Sequence, residues 1–294
     1  MKSVLIEGDR SLDSIEDRTG GRSIEIRPLR AESEYQACVE MQMDIWGDTY
    51  GELVPPIILR IVQRVGGVAV GAFAEDGGLE GFVFGITGVS GGRLIHWSHI
   101  LAVRPELRNS GLGRRLKEYQ REMLRPLGVE AIRWTFDPLV AKNAHFNLNR
   151  LGAEVVEYVE EMYGSTGSIL HALGTDRLIV EWPVDSPDGI ATRRREVAEP
   201  KLLPEGGVAP VANLTETGEP IDPEAELPTS TMVKIAIPAD LDELIESDLE
   251  RAKWWQRTIR RTLPHYLDLG YRVLGLERRL DEGLALYHLM VDGE

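Results

Sequence analysis

Residues 96–116 read HWSHILAVRPELRNSGLGRRL, and this stretch decides the fold class. Its first part belongs to an apolar run over 94–103 that is typical of a strand, and Pro105 ends that run. After a short loop, apolar residues recur every three or four positions, which predicts a helix over 111–127. The stretch therefore predicts a strand, a loop and a helix in succession.

The surrounding sequence predicts a mixed α/β fold. Helical spacing of apolar residues predicts helices at 31–46, 57–65 and 141–151. Alternating or continuous apolar runs predict further strands at 24–27, 68–75, 79–87, 131–136, 154–159 and 178–182. The predicted order is β-α-α-β-β-β-α-β-α-β-β. A sheet with helices between its strands follows from that order.

Composition changes along the chain predict four segments. Residues 1–22 are polar and charged, which predicts a mobile tail, and residues 23–183 form the main domain. Residues 184–230 hold 7 of the 16 prolines and predict a linker or an extended arm. Residues 231–294 predict a small α+β extension. A segment of that size is short for a core of its own, so we expect it to dock on the main domain or on a partner subunit.

The overall composition excludes several classes of protein. Lys and Arg number 33 against 48 Asp and Glu, a net charge of −15, so we expect no nucleic-acid partner. No apolar run approaches the ~20 residues that span a bilayer, and the N-terminus lacks the apolar region of a signal peptide, so we expect no membrane partner. The single cysteine, Cys38, suits a reducing compartment and predicts a cytoplasmic location.

The loop between the strand and the helix has the pattern Arg108-x-x-Gly111-x-Gly113. Amides at a helix N-terminus have no intrahelical acceptor and lie at the positive end of the helix dipole, so they bind phosphate well. Residues 104–125 contain seven basic and three acidic side chains, a local excess of positive charge in an acidic chain. The third glycine of a dinucleotide-binding fingerprint and the Gly-Lys-Ser/Thr of a P-loop are missing here. The loop therefore predicts a phosphate site of another type.

These residues resemble the GNAT superfamily of acyl-CoA-dependent N-acyltransferases. The signature Arg/Gln-x-x-Gly-x-Gly/Ala is matched by Arg108, Gly111 and Gly113, and the resemblance covers residues 23–182. It implies an α/β (α+β) fold with a mixed, mostly antiparallel sheet flanked by helices. It also implies acetyl-CoA or another acyl-CoA as cosubstrate, no metal, and a small-molecule amine as acceptor.

The resemblance also implies residues that bind the cosubstrate. The pyrophosphate would be held by loop amides and one added arginine side chain. The strand before the loop would pair with the pantetheine, and a bulge there would aim an N–H at the thioester oxygen. The next helix would lend an asparagine, for which Asn143 is favoured over Asn147. The loop residues are Arg108, Asn109, Ser110, Gly111, Leu112, Gly113 and Arg114, and the strand residues are Leu101, Ala102 and Val103.

Candidate catalytic residues come from the strand and from the helix that follows. His99 is the candidate general base, because an imidazole titrates near neutral pH, although a structural hydrogen bond explains it equally well. His96 is expected on the opposite face of the strand, so the two histidines should not share a metal. Many relatives place a proton-donating tyrosine where this chain has Leu148. His145, Tyr163 or water could supply that proton instead.

Three residues are candidates for holding the acceptor. Asp137 ends a predicted strand and could bind or deprotonate an amine, or cap the turn at Pro138. Arg177 could clamp a substrate carboxylate or form a surface ion pair. Trp134 lies on the same strand as Asp137 and completes the set of substrate-binding candidates.

The sequence leaves three functions open. The first is transfer of an acetyl or succinyl group to a small amine, with an amino acid as the leading acceptor. The second is a non-catalytic acyl-CoA-binding or scaffolding protein, and the third is acetylation of protein lysines. Homodimer formation is also left open.

Overall fold

The computed structural model describes residues 17–19, 22–47, 53–164, 173–185, 209–215, 218–219, 221 and 225–291. The chain divides into two compact units, Met1–Val129 and Glu130–Glu294. Most of the predicted tail (1–22) and much of the predicted linker (184–230) lie outside the described residues. The four predicted segment boundaries stay predictions.

The first unit contains an antiparallel sheet whose strands follow one another in chain order. Two helices, α1 and α2, precede the third strand, and α3 follows the fifth. Their shared core includes Tyr35, Leu59, Phe82 and Ile100. The elements are β1 (Asp17–Thr19), β2 (Arg22–Pro28), α1 (Glu32–Trp46), α2 (Pro56–Arg64), β3 (Val68–Ala74), β4 (Leu79–Ser90), β5 (Arg93–Val103) and α3 (Leu112–Leu124).

Helix α3 confirms the predicted apolar spacing, since Leu112, Leu116 and Tyr119 are buried. The helix ends three residues earlier than predicted. Residues Arg125–Leu127 instead form a 3-10 turn, because Pro126 cannot donate a helical hydrogen bond. Leu127 is consequently exposed rather than part of the core.

The second unit contains two antiparallel sheets. In the first sheet the strand order is β6-β8-β7, and in the second it is β10-β11-β9. The elements are β6 (Ala131–Phe136), α4 (Ala141–Ala144), β7 (Glu154–Val159), β8 (Arg177–Pro183), β9 (Met232–Pro238), α5 (Leu241–Ser247), α6 (Leu249–Asp268), β10 (Arg272–Arg279) and β11 (Leu284–Met290). The predictions of mixed α/β architecture, mostly antiparallel strands and a small C-terminal α+β unit are confirmed.

The predicted helix at 141–151 is correct in place but not in type. After α4 the backbone widens into a π-helical turn, His145–Arg150. Leu151 N donates to Phe146 O at 3.0 Å, a step of five residues. One extra residue per turn leaves no clear trace in the apolar spacing, and π turns recur at functional sites.

The C-terminal extension contacts the β6-β8-β7 part of its own unit. The side-chain amide of Asn149, in the π turn, accepts from Leu276 N at 3.0 Å and donates to Leu276 O at 3.1 Å on β10. Tyr287 on β11 donates its hydroxyl to Pro138 O at 2.7 Å. The extension therefore docks on this part of the chain, as its small size predicted.

No helix among the described residues is long and apolar enough to cross a bilayer.

Candidate functional site

The loop between β5 and α3 holds its own shape through short-range hydrogen bonds. A 3-10 turn, Pro105–Leu107, follows the strand. Arg108 N donates to Pro105 O at 3.2 Å, and Ser110 Oγ donates to Leu107 O at 2.6 Å. The loop is therefore a built turn that leads directly to Gly111, the N-cap of α3.

Gly111 adopts a left-handed conformation, with φ +91°, and a Cβ placed on it would meet no atom within 4 Å. Asn109 also has a positive φ, of 63°. No side chain caps α3. Within the described residues the amides of Gly113 and Arg114 have no acceptor, and Leu112 N has only a 3.4 Å contact to Ser110 Oγ. The helix start thus offers amides beside open space, which is what an anion requires.

The charged side chains around this turn divide into paired and exposed ones. Arg114 Nε donates to Glu118 Oε1 at 2.7 Å, and Arg125 pairs with Glu122. Arg108 is exposed at the loop and forms no ion pair with the described part of the chain. Arg108 is therefore a guanidinium near the helix start that is available to an anion.

Leu101, Ala102 and Val103 pair in regular register with Val83, Phe82 and Gly81. The predicted position of the bulge, at Leu101–Val103, is wrong. The register shifts where Phe84 pairs with Ile100 and Gly85 with Ser98, so His99 is the extra residue. Gly85 faces this bulge, and only glycine fits there, because a Cβ would collide with the buried His96 ring and lie 2.5 Å from Trp97 O.

The two histidines of β5 lie on opposite faces, as predicted. His99 is exposed, with its ring edge-on to Phe84 at a centroid distance of 6.1 Å. His96 is fully buried. Burial, with the nearby charge of Lys117, lowers the pKa of His96 to about 3, so the ring is neutral at pH 7. Only His99 is placed to exchange a proton with solvent or substrate. Within the described residues, no group of three or more His, Cys, Asp or Glu is arranged to hold a metal ion.

The first unit contains a buried polar cluster that the sequence did not predict. It consists of His96 and Ser98 from β5 with Lys117 and Gln120 from α3, and each is at most 5% exposed. The available signal was that Lys117 and Gln120 fall at helical spacing within the apolar stripe of α3. Polar residues in a buried stripe indicate an internal hydrogen-bond network.

In the second unit, Asp137 and Arg177 come together at the paired ends of β6 and β8. Asp137 Oδ1 accepts from Leu139 N at 2.8 Å, so the carboxylate does cap the turn. Its Oδ2 lies 3.9 Å from Arg177 Nη1. The Arg177 guanidinium lies over the Tyr163 ring at 5.3 Å, and the Tyr163 hydroxyl is 3.0 Å from Thr135 Oγ1. The cluster combines a carboxylate, a guanidinium and a phenol.

Trp134 and Asn147 bind each other rather than remaining open to ligands. Trp134 Nε1 donates to Asn147 Oδ1 at 3.0 Å, and the indole packs edge-to-face on Trp182 at 6.3 Å. Both Trp134 and Asn147 are 5% exposed. Asn143 is exposed on α4. Of the two asparagine candidates, Asn143 is therefore the accessible one.

The candidate proton donors differ in their surroundings. Leu148 is 2% exposed and apolar, so this position supplies no acid. Burial lowers the pKa of His145, and the charges of Arg150 and Arg278 lower it further. His145 Nδ1 is buried without a hydrogen-bond partner in the described residues. A neutral imidazole is a weak acid, so Tyr163 and water remain the better candidates for that role.

Comparisons with known proteins give distant structural likenesses. No family model and no curated protein matches the chain. Ard1 from Thermoplasma volcanium aligns at 13% identity and a TM-score of 0.43, over 55% of this chain and 99% of that one. The ribosomal-protein-S18-alanine N-acetyltransferase from Escherichia coli aligns at 18% identity and 0.42, over 55% of this chain and 95% of that one. The protein yncA from Salmonella typhimurium, solved with acetyl-CoA, aligns at 18% identity and 0.45, over 55% of this chain and 95% of that one. At such identities and scores, function has to be inferred from the residues themselves.

Proposed function

We propose that this chain is an acyl-CoA-dependent N-acyltransferase that moves an acetyl or succinyl group to the amine of a small acceptor. One observation carries the proposal. Helix α3 begins at a left-handed glycine with no side-chain cap, beside open space. A pyrophosphate is the natural occupant of such a helix start.

The loop suits the pyrophosphate of coenzyme A in a specific way. The amides of Gly113 and Arg114 are the proposed donors, with Leu112 N as a third. Arg108 contributes its guanidinium rather than its amide, because that amide already donates to Pro105 O. Arg114 contributes mainly its backbone, since Glu118 holds its side chain. Asn109, Ser110 and Gly111 shape the turn, and Leu101, Ala102 and Val103 are the proposed pantetheine contacts.

The proposed chemistry is direct transfer. The neutral amine attacks the thioester carbonyl, the C–N bond forms, and the C–S bond breaks as the thiolate leaves. The amine proton passes to a base, for which the exposed imidazole of His99 is proposed. The thiolate takes its proton from water or from a side chain such as Tyr163.

The acceptor is proposed to be a small zwitterion, with an α-amino acid as the leading case. Asp137 would attract the ammonium group and Arg177 the carboxylate. The two side chains already lie 3.9 Å apart at their closest ion-pair atoms, so opposite charges of one small molecule could replace that contact. A cytoplasmic location, a main domain at 23–183 and a linker at 184–230 are part of the same proposal.

The test is release of free thiol from acetyl-CoA and succinyl-CoA in the presence of amino acids, simple amines and lysine peptides. The proposal expects release that depends on one class of small acceptor. Release with lysine peptides alone would favour protein acetylation. No acceptor-dependent release across the panel would contradict catalysis.

A second candidate is a non-catalytic acyl-CoA-binding protein. The observation that favours it is Leu148, a buried apolar residue where relatives of the resembled family place their acid. This candidate expects coenzyme A to raise the melting temperature while no acceptor gives turnover. The two measurements together separate the candidates.

A further inference from the structure

A continuous chain of hydrogen bonds runs through the first unit from α3 to Gly66, just after α2; it is buried from Lys117 to His96 and partly buried beyond that ring. Lys117 Nζ donates to Ser98 Oγ at 2.7 Å, and Ser98 Oγ donates to Gln120 Oε1 at 2.9 Å. Gln120 Nε2 lies 3.0 Å from His96 Nε2, and His96 Nδ1 lies 2.9 Å from Thr87 Oγ1. The last link is Thr87 Oγ1 to Gly66 O, at 2.6 Å.

The two ends of the chain fix the direction of every link. Thr87 has one hydroxyl proton and donates it to Gly66 O, so Thr87 accepts from His96 and the proton of His96 is on Nδ1. His96 Nε2 is then an acceptor, which Gln120 Nε2 satisfies. Gln120 Oε1 is left facing Ser98, whose proton it accepts. Ser98 in turn accepts from Lys117. With His96 neutral, this placement gives each of the five links one donor and one acceptor.

We infer that this hydrogen-bond chain fixes the position of the start of α3 relative to the bulge of β5. Lys117 lies one helical turn beyond Gly113, whose amide is a proposed phosphate donor. Ser98 is the residue before the bulge at His99. The link between Lys117 and Ser98 therefore ties the anion-binding turn to the strand that carries the proposed base. The role in acyl-CoA binding rests on the proposed function.

Hydrogen bonds give this contact a precision that apolar packing lacks. Leu112 and Leu116 are fully buried, but the hydrophobic contacts that they make have no preferred direction. A buried polar group that loses its partner pays a desolvation penalty instead. Because all six groups are linked, a shift of α3 along β5 would break the chain. Burial also lowers the pKa of His96 to about 3, so the ring keeps the neutral form that the chain needs.

The first test measures the tautomer of His96 in the full chain by nitrogen-15 NMR. The inference expects a protonated Nδ1 and an unprotonated Nε2 that do not change between pH 5 and pH 8. A free histidine prefers the opposite tautomer, so this result is specific to the chain. A proton on Nε2, or titration of His96 in this range, would overturn the inference without bearing on the proposed function.

The second test compares coenzyme A binding and melting temperature in three variants. Lys117→Met replaces the buried amine with an apolar side chain of similar length, and Ser98→Ala removes the hydroxyl that links Lys117 to Gln120. Ser90→Ala is the control, an exposed serine at the end of β4. We expect Lys117→Met to melt at or above the wild-type temperature. It should bind coenzyme A about fivefold more weakly, which corresponds to the net contribution of one hydrogen bond. Ser98→Ala should also bind more weakly, and Ser90→Ala should bind as wild type does.

The outcomes separate the two proposals. If the wild type binds coenzyme A and Lys117→Met binds it equally well, the positioning role is wrong. If Lys117→Met loses stability and keeps its affinity, the chain is purely structural, which also overturns the inference. If the wild type does not bind coenzyme A, the proposed function fails. In that case the tautomer of His96 still shows whether the hydrogen-bond chain is formed.

Discussion

Arg260 of helix α6 forms a two-point ion pair with Asp176, the residue just before β8. Arg260 Nη2 donates to Asp176 Oδ1 at 2.6 Å, and its Nε donates to Asp176 Oδ2 at 2.8 Å. The carboxylate also accepts from the Tyr158 hydroxyl at 2.6 Å and from Glu161 N at 3.1 Å. Because Arg177 is the next residue, this pair holds the C-terminal extension directly beside a proposed acceptor-binding side chain.

Asp176→Asn should destabilise the protein by about 2 kcal/mol, below the usual cost of breaking a buried pair because Arg260 is partly exposed. The measurement is urea unfolding at pH 7. Lys142→Ala is the control, because Lys142 and Asp242 form a pair whose side chains are 71% and 72% exposed. That variant should change stability by less than about 0.5 kcal/mol. If the two variants lost the same free energy of unfolding, the claim that the Asp176–Arg260 pair stabilises the fold more than an exposed pair would be wrong.

The same pair predicts a loss of stability in acid. Burial alone would raise the pKa of Asp176, but hydrogen bonds from Arg260 and Tyr158 outweigh it and hold the pKa below its ordinary value. A depressed carboxyl pKa stabilises the fold above the unfolded pKa, and that stability is lost as pH falls through the folded value. Asp176→Asn should therefore remove part of the acid dependence below about pH 4. An unchanged acid limb would contradict this assignment.

His96 predicts a second pH dependence, at higher pH. Its pKa of about 3 in the fold lies below the ordinary 6.5, so the unfolded chain takes up the proton first as pH falls. The contribution of His96 to the free energy of unfolding should be fully present above pH 6.5 and should decline toward pH 3. At pH 5 this group should have cost about 2 kcal/mol of stability. Urea unfolding of His96→Gln at pH 7 and pH 5 should show a smaller loss than wild type. His99→Gln should keep the wild-type loss, and the reverse order would contradict the burial of His96.

Gly111→Ala should weaken coenzyme A binding at least about tenfold, because its methyl group would occupy the space beside the helix amides. Gly128→Ala is a matched control, since Gly128 has φ +71° and open space around it. Both changes impose a left-handed conformation on alanine and should cost about 1 kcal/mol each. Isothermal titration with coenzyme A should show weaker binding for Gly111→Ala alone. Equal affinity of the two variants would place the nucleotide elsewhere.

Arg177→Met should raise the KM for the acceptor about tenfold or more and leave the KM for acyl-CoA unchanged, because the lost guanidinium recognises only the acceptor. Arg133→Met is the control on the neighbouring strand β6, where Arg133 pairs with Glu181 at 2.6 Å. Steady-state kinetics with the best amino acid acceptor would decide. A rise in the KM for acyl-CoA, or an equal effect of the control, would contradict the proposed role of Arg177.

Local patterns predicted much of the fold. The three- and four-residue spacing of Leu112, Leu116 and Tyr119 located α3, and Pro105 located the end of β5. Gly111 was predicted at the helix start from the loop pattern Arg108-x-x-Gly111-x-Gly113 directly before the helical spacing. These features depend on neighbours in sequence, which is why a single sequence reveals them.

Features that depend on distant residues were missed. The register shift at His99 lies opposite Gly85, where the buried His96 ring leaves no space for a Cβ, and strand periodicity does not encode this close approach. Asn149 pairs with the backbone of Leu276 more than a hundred residues later, and no local signal marks it. Trp134 was expected to face the acceptor, but its indole satisfies Asn147 inside the unit. The contacts of polar groups with residues distant in sequence were thus what the sequence could not predict.

The most direct measurement of the central claim is a crystal structure of the full chain with coenzyme A. The account predicts that the pyrophosphate oxygens accept hydrogen bonds from the amides of Gly113 and Arg114, with the Arg108 guanidinium alongside. A well-ordered nucleotide bound elsewhere, with this helix start left to water, would contradict it.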